Sequence, residues 1–191
     1  MRSNRRGRVR RQVLIETALR SFAEHGYRGV STATIAQNAG ISEPGLIHHF
    51  PTKADLLLAV IEHYEARSIE LIQEALSASD GSYSGALLAL AGSHEADPTF
   101  IRLFTVLAAE SVSPAHPAHE WFVARYDRVR AEIADRFREE QGRGQIRGDV
   151  DAETLARQVI AMFDGVQLQY LLAGGQLDLV TPLRALLDSY R

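Results

Sequence analysis

The chain has 191 residues, 46% of them hydrophobic, and a formal net charge of −3. That is enough apolar material for one or two domains with a real core, and it excludes a disordered protein. The lack of cysteine excludes disulfides, thiolate nucleophiles and cysteine-type zinc sites; no apolar run approaches the ~20 residues of a membrane span, so a cytosolic protein with no membrane partner is expected.

The charge is unevenly spread. Residues 1–55 carry nine Lys/Arg against four acids, a surplus of +5, while the remainder carries twelve against twenty, a deficit of −8. A basic head on an acidic body suits a protein that meets phosphate at one end only. Arg2, Arg5 and Arg6 can belong either to that head or to an idle basic tail. Arg8, Arg10 and Arg11 adjoin the first predicted helix, from about Val9 to His25, whose buried side is Val13, Leu14, Ala18 and Phe22 and which Gly26 ends.

Thr32 to Phe50 reads TATIAQNAGISEPGLIHHF, with the length and glycine placement of a helix-turn-helix. Ser31 is placed to cap a helix burying Ile35, Ala36 and Ala39, and Gly40 supplies the turn. Ser42 caps the second helix, Pro44 sits in its first turn, and Leu46, Ile47 and Phe50 form its apolar edge. Thr52 and Asp55 read as a capping-box variant opening the next helix. That helix runs from Lys53 to about Ser77, with Leu57, Ile61, Tyr64, Leu71 and Leu76 as its buried side. SASDGSYSG, from Ser77 to Gly85, is a loop.

Further helices are expected from about Ala86 to Ala96, from Pro98 to about Ser111, and from about Ala118 to Glu140, the last two separated by SPAHP. GRGQIRGD breaks the chain at Gly142 to Asp149. Asp151 caps a helix through Leu172, ended by Gly174 and Gly175, and Pro182 to Tyr190 is the last. The fold class is therefore all-α with about nine helices. A three-helix helix-turn-helix head with its basic arm (1–52) precedes a helical body (53–191) that starts with the connecting helix.

FAEHGYRGVSTATIAQNAGIS through HHFPTKADLL resembles the amino-terminal pattern of the tetracycline-repressor (TetR) family of bacterial transcriptional regulators, over roughly Arg11 to Leu58. DAETLARQVIAMFDGVQLQYLL is similar, more loosely, to that family's penultimate helix. The resemblance implies a homodimer that binds a palindromic double-stranded DNA operator, represses nearby genes, and lets go when a small-molecule effector enters the body. It also implies that the body (53–191) is the ligand-binding and dimerisation domain. Two departures stand out. Ile47 replaces a tyrosine common in relatives, and Glu43 and Pro44 replace a lysine and glycine, so a different operator is expected; glutamate can accept from a cytosine amino group.

The DNA-contact candidates are Arg8, Thr32, Ala33, Thr34, Ser42, Glu43, Gly45, His48, His49 and Lys53. Thr32, Ala33 and Thr34 start a helix whose free N–H groups favour phosphate, although both threonines also fit ordinary capping. Lys53 opposes the local helix dipole, a misplacement that nearby phosphate would explain. One histidine faces DNA, taken as His48; the other fits DNA or the core.

Leu155, Val159, Met162, Val166 and Tyr170, spaced 4, 3, 4 and 4, form a coiled-coil-like seam. Leu183, Leu186, Leu187 and Tyr190 line a second helix. The stripe can pack within the chain or against a partner. Ile160, Phe163, Gln167 and Leu171 offer another inward face, which leaves the seam for the partner, and the family resemblance implies a four-helix dimer bundle. Phe100, Leu103, Phe104, Leu107, Phe122, Tyr126, Phe163 and Gln167 can form either solid core or a cavity wall, with Glu110, Arg125 and Gln167 orienting a ligand.

Two other functional classes are weighed. His116 and His119, with His94 and Glu110, resemble a zinc set only loosely, and no phosphate loop, nucleophile elbow or carboxylate pair appears; no enzyme, metal or cofactor is expected. An architectural DNA-binding protein would differ only in lacking an effector.

Overall fold

Helix starts along this chain follow local capping chemistry. The computed structural model describes residues 2–78 and 82–191, without the side chains of residues 2–6 and 96. The centre of the loop read from Ser77 to Gly85 (residues 79–81) and the side chains of Arg2, Arg5 and Arg6 therefore lie outside the described residues. Among the described residues there are nine α-helices and no strand. They are α1 (Arg2–His25), α2 (Thr32–Asn38), α3 (Glu43–His49), α4 (Lys53–Ala78), α5 (Tyr83–Ala96), α6 (Pro98–Glu110), α7 (His119–Gly142), α8 (Ala152–Leu172) and α9 (Val180–Asp188).

Side-chain oxygens at Ser31, Ser42, Ser82 and Asp151 each accept a backbone N–H three residues on, satisfying donors that a helix start leaves orphaned. Thr52 and Asp55 make the reciprocal pair: Asp55 N–H donates to Thr52 Oγ1 at 3.1 Å and Thr52 N–H to Asp55 Oδ2 at 2.9 Å. Three starts differ from the sequence reading. Helix α1 begins at Arg2 rather than Val9, since that arginine-rich stretch holds no proline and its single Gly7 weakens a helix without stopping it. Helix α5 begins at Tyr83 because Ser82 caps it. Helix α9 begins at Val180, ahead of Pro182, because the Asp178 carboxylate accepts from Val180 N–H at 2.7 Å and Thr181 N–H at 3.0 Å.

The chain forms two compact units. One comprises the chain up to Arg67 together with Arg102–Glu120; the other comprises Ser68–Ile101 with Trp121–Arg191. The first buries Leu14, Ala18, Phe22, Ile35, Leu46, Leu57 and Val60 completely or nearly so, each large side chain worth about 1.5–3 kcal/mol of transfer free energy. Tyr64 of α4 and Phe104 of α6 stack in this unit, centroids 5.6 Å apart. Two residues assigned to buried edges are exposed instead: Val13 at 43% and Ile47 at 46%. Both lie one helical step beyond the stripe that packs, and Leu14 and Leu46 take the inward positions.

The second unit buries Ile101, Phe137, Leu155, Val159, Leu179 and Leu183 in one apolar cluster. Glu140, one turn further along α7, is buried. Its Oε1 accepts from Tyr83 N–H at 2.7 Å and its Oε2 from the Ser84 hydroxyl at 2.6 Å, so α7 supplies a carboxylate to the start of α5. No helix among the described residues is long and apolar enough to cross a membrane.

Candidate nucleic-acid interface

The turn joining α2 to α3 is set by one glycine. Gly40 adopts φ +70°, where a Cβ is strained, and the turn closes with Ile41 N–H donating to Ala36 O and Gly40 N–H to Gln37 O, both at 3.0 Å. Buried Ile35, Ala36 and Leu46 fix α2 and α3 on the core and leave Ser31, Ala33, Thr34, Ser42, Pro44, Ile47 and His48 exposed. That exposed set spans the starts of both short helices. It is a surface carrying N–H groups, hydroxyls and an imidazole.

Several candidates are already engaged with one another. Thr34 N–H donates to Ser31 Oγ at 3.0 Å, and the two hydroxyls lie 2.8 Å apart. Ser42 Oγ accepts from Gly45 N–H at 3.3 Å. The Thr32 hydroxyl donates to Glu43 Oε1 at 2.6 Å, tying the start of α2 to the start of α3. His48 is exposed and His49 half-buried, their rings edge to face at 5.6 Å. Arg8 is exposed on α1.

Lys53 is half-buried, with Nζ 4.5 Å from the centroid of the Tyr27 ring, a cation–π contact that offsets its unfavourable place at a helix start. Burial lowers its pKa and the Glu110 carboxylate opposes that shift. A cleft of about 600 Å³ runs beside it, lined among others by Arg28, Ser31, Thr32, Ile47, Thr52 and Lys53. The cleft gathers two cations, charges suited to phosphate, while the Thr32 and Thr52 hydroxyls on its wall already donate to Glu43 and Asp55. Arg28 and Thr52 were absent from the sequence-derived contact set. Gly29 was the available signal, since a Cβ there would stand 2.1 Å from His25 O, so the chain makes a close approach beside Arg28.

The effector candidates fall in both units. Leu103, Phe104, Leu107 and Glu110 belong to the unit of the helix-turn-helix, the first three buried. Phe100, Phe122, Arg125, Tyr126, Phe163 and Gln167 belong to the other. There the Tyr126 hydroxyl donates to Asp164 Oδ2 at 2.9 Å, and Gln167 Nε2 lies 3.2 Å from His94 Nδ1, both partners buried. Burial raises the Asp164 pKa and lowers that of His94 to about 4. Glu110 accepts from Tyr27 N–H. Among the described residues no three His, Cys, Asp or Glu side chains are grouped to hold a metal ion.

On the seam of α8, Leu155, Val159 and Tyr170 are buried within their own unit and Met162 and Val166 are half-buried. On α9, Leu183 and Leu187 are buried, Leu186 and Tyr190 half-buried. The outward row of α8 is Ala161, Leu168 and Leu172, the two leucines exposed at 47% and 79%.

Comparison with known proteins agrees with this geometry. Residues 14–60 match the family model of bacterial regulatory proteins of the tetR family, and residues 84–190 match the C-terminal region of BetI-type transcriptional repressors. The chain is 26% identical over 157 residues to the transcriptional repressor AcnR of Corynebacterium jeikeium, covering 82% of this chain and 79% of that one. It is 39% identical to AcnR of Corynebacterium diphtheriae over 72 residues, a match spanning 38% of each chain. A TetR-family regulator from Agrobacterium tumefaciens has the same fold, with a TM-score of 0.84 at 21% identity over 96% of this chain and 98% of that one.

Proposed function

The chain belongs to the TetR family of DNA-binding transcriptional regulators, and from that premise we propose that it is a dimeric repressor released from a palindromic operator by a small-molecule effector. The observation that carries the DNA-reading part is the cleft where Arg28, Ser31, Thr32, Thr52 and Lys53 converge beside an exposed α3. Phosphate in that cleft would fix the register of α3 in the major groove, where Ser42, Glu43, Gly45 and His48 would meet base edges. Residues 1–52 would form the reading head and residues 53–191 the body.

Dimerisation would use the outward side of α8. Leu168 and Leu172 are the large apolar residues left exposed on α8, with half-buried Met162, Val166, Leu186 and Tyr190 available at the margin. Two heads held this way would address half-sites about one helical turn, ~34 Å, apart. The effector would act through α6, which carries Phe104 against Tyr64 of α4. Release requires the effector to bind the DNA-incompetent state more tightly than the competent one.

The test is selection of bound duplexes from a random pool by the purified full-length protein. An enriched inverted repeat supports the dimeric operator reader. Enrichment of a single half-site speaks against the dimer, and salt-sensitive binding with no enrichment turns the reading to an architectural DNA-binding protein.

A further inference from the structure

The last residue of α6 is Glu110, and its carboxylate closes the end of α1 rather than its own helix. Helix α1 stops at His25, and Gly26 follows at φ +71°. Tyr27 N–H, past the end of the helix, donates to Glu110 Oε2 at 2.7 Å across 83 positions of sequence. The approach is close: a Cβ on Gly26 would stand 2.6 Å from Glu110 Oε1.

His116 braces the same point. Its Nδ1 accepts from Ala118 N–H at 3.3 Å and lies 2.8 Å from Ser111 Oγ, so the neutral ring carries its proton on Nε2. That nitrogen is buried without a hydrogen-bond partner, 3.8 Å from Glu110 Oε2, and the ring meets Tyr27 edge to face at 5.1 Å. Tyr27 is thus held by its backbone and by its ring, and the ring's face carries the Lys53 ammonium.

We propose that Glu110 is a positioning residue for DNA binding: it pins Tyr27, Tyr27 places the Lys53 ammonium beside the phosphate cleft, and displacement of α6 therefore withdraws Lys53. The proposal rests on the DNA-binding reading above. It specifies how a change in the body reaches the head, since Glu110 ends the helix on which the effector would act. Burial of Lys53 and the charge of Glu110 act on that ammonium in opposite senses, so the carboxylate is electrically as well as mechanically coupled to it.

Lys53 is the only lysine of the chain, which makes it directly observable. Reductive dimethylation with 13C-formaldehyde marks Lys53 and the terminal amine, and the Tyr27 ring should shift the Lys53 methyl signal upfield. In Glu110→Ala that signal should move toward its position in the unfolded protein, while Glu110→Gln, which keeps an acceptor, should retain it. In parallel, binding of the full chain to a fluorescein-labelled random-sequence duplex is measured from 50 to 200 mM salt. Lys53→Ala and Glu110→Ala should each flatten the salt dependence by about one unit. The double variant should bind no more weakly than Lys53→Ala alone, since a residue acting through Lys53 has nothing left to act on. Tyr27→Leu, which removes the ring but not the backbone bond, should flatten the slope alike and serves if Glu110→Ala does not fold. An unmoved methyl signal in Glu110→Ala overturns the proposal at the Glu110 step. A moved signal with wild-type duplex binding by Lys53→Ala overturns it at the DNA step. Multiplicative losses in the double variant overturn it as well.

Discussion

The Thr32 hydroxyl donates to Glu43 Oε1 at 2.6 Å, so the two residues that open α2 and α3 share one hydrogen bond across the helix-turn-helix. The carboxylate is half-buried and held. It ties the starts of the two short helices together and also sets a negative charge at the face proposed to meet DNA.

Glu43→Lys removes that charge and frees Thr32. Affinity for random-sequence duplex should rise, its salt dependence should steepen by about one unit, and the selected base preference should change. Fluorescence anisotropy and random-pool selection measure these effects. Identical selected sequences and an unchanged slope would take Glu43 off the DNA face.

Glu140→Ala should cost about 3 kcal/mol, because it strips the Tyr83 N–H and the Ser84 hydroxyl of their buried acceptor. For a chain of this size that is roughly a 6–12 °C fall in Tm. Glu140→Gln keeps an acceptor and should lose less. Calorimetry on both variants checks the order, and equal losses would mean that the hydrogen bonds contribute little.

His94 gives stability a pH dependence of predictable sign. Burial depresses its pKa to about 4, so between pH 4 and the unfolded value near 6.5 the unfolded chain binds more protons. Its contribution is complete above pH 6.5 and is lost as pH falls through 4. Comparing pH 7 with pH 5 in urea, the wild type should lose about 2 kcal/mol more than His94→Gln. Parallel losses in the two proteins would show that His94 is not the titrating group.

Leu168→Asp should yield monomers at micromolar concentration with little loss of thermal stability, since Leu168 is already 47% exposed. Leu155→Ala, at a position with no exposure, should do the reverse: a cost of about 2–5 kcal/mol with the dimer retained. Light scattering and thermal melts on both variants decide which side of α8 meets the partner.

What the sequence determined by itself is what short-range chemistry controls. Ser31, Ser42, Asp151 and the Thr52–Asp55 pair lie within three residues of the N–H groups they satisfy, so their helix starts were legible. Gly40 marked its turn for the same reason, and the 3.6-residue recurrence of apolar side chains marked the helices. The helix-turn-helix could be read on these grounds, and the family from the resemblance of the stretch around it. Only the tertiary structure decided which apolar stripe faces inward where a helix carries more than one. Leu155 and Val159 turned to the core and Leu168 and Leu172 to solvent, although all four sit at plausible helical spacings. Only it paired Glu110 with Tyr27 and Glu140 with Tyr83, 83 and 57 positions apart. A lone glutamate on an amphipathic helix carries no local sign that its partner is a distant helix terminus. Local caps and periodicity are properties of a few neighbouring residues, whereas facing and long-range pairing depend on which surfaces exclude water together.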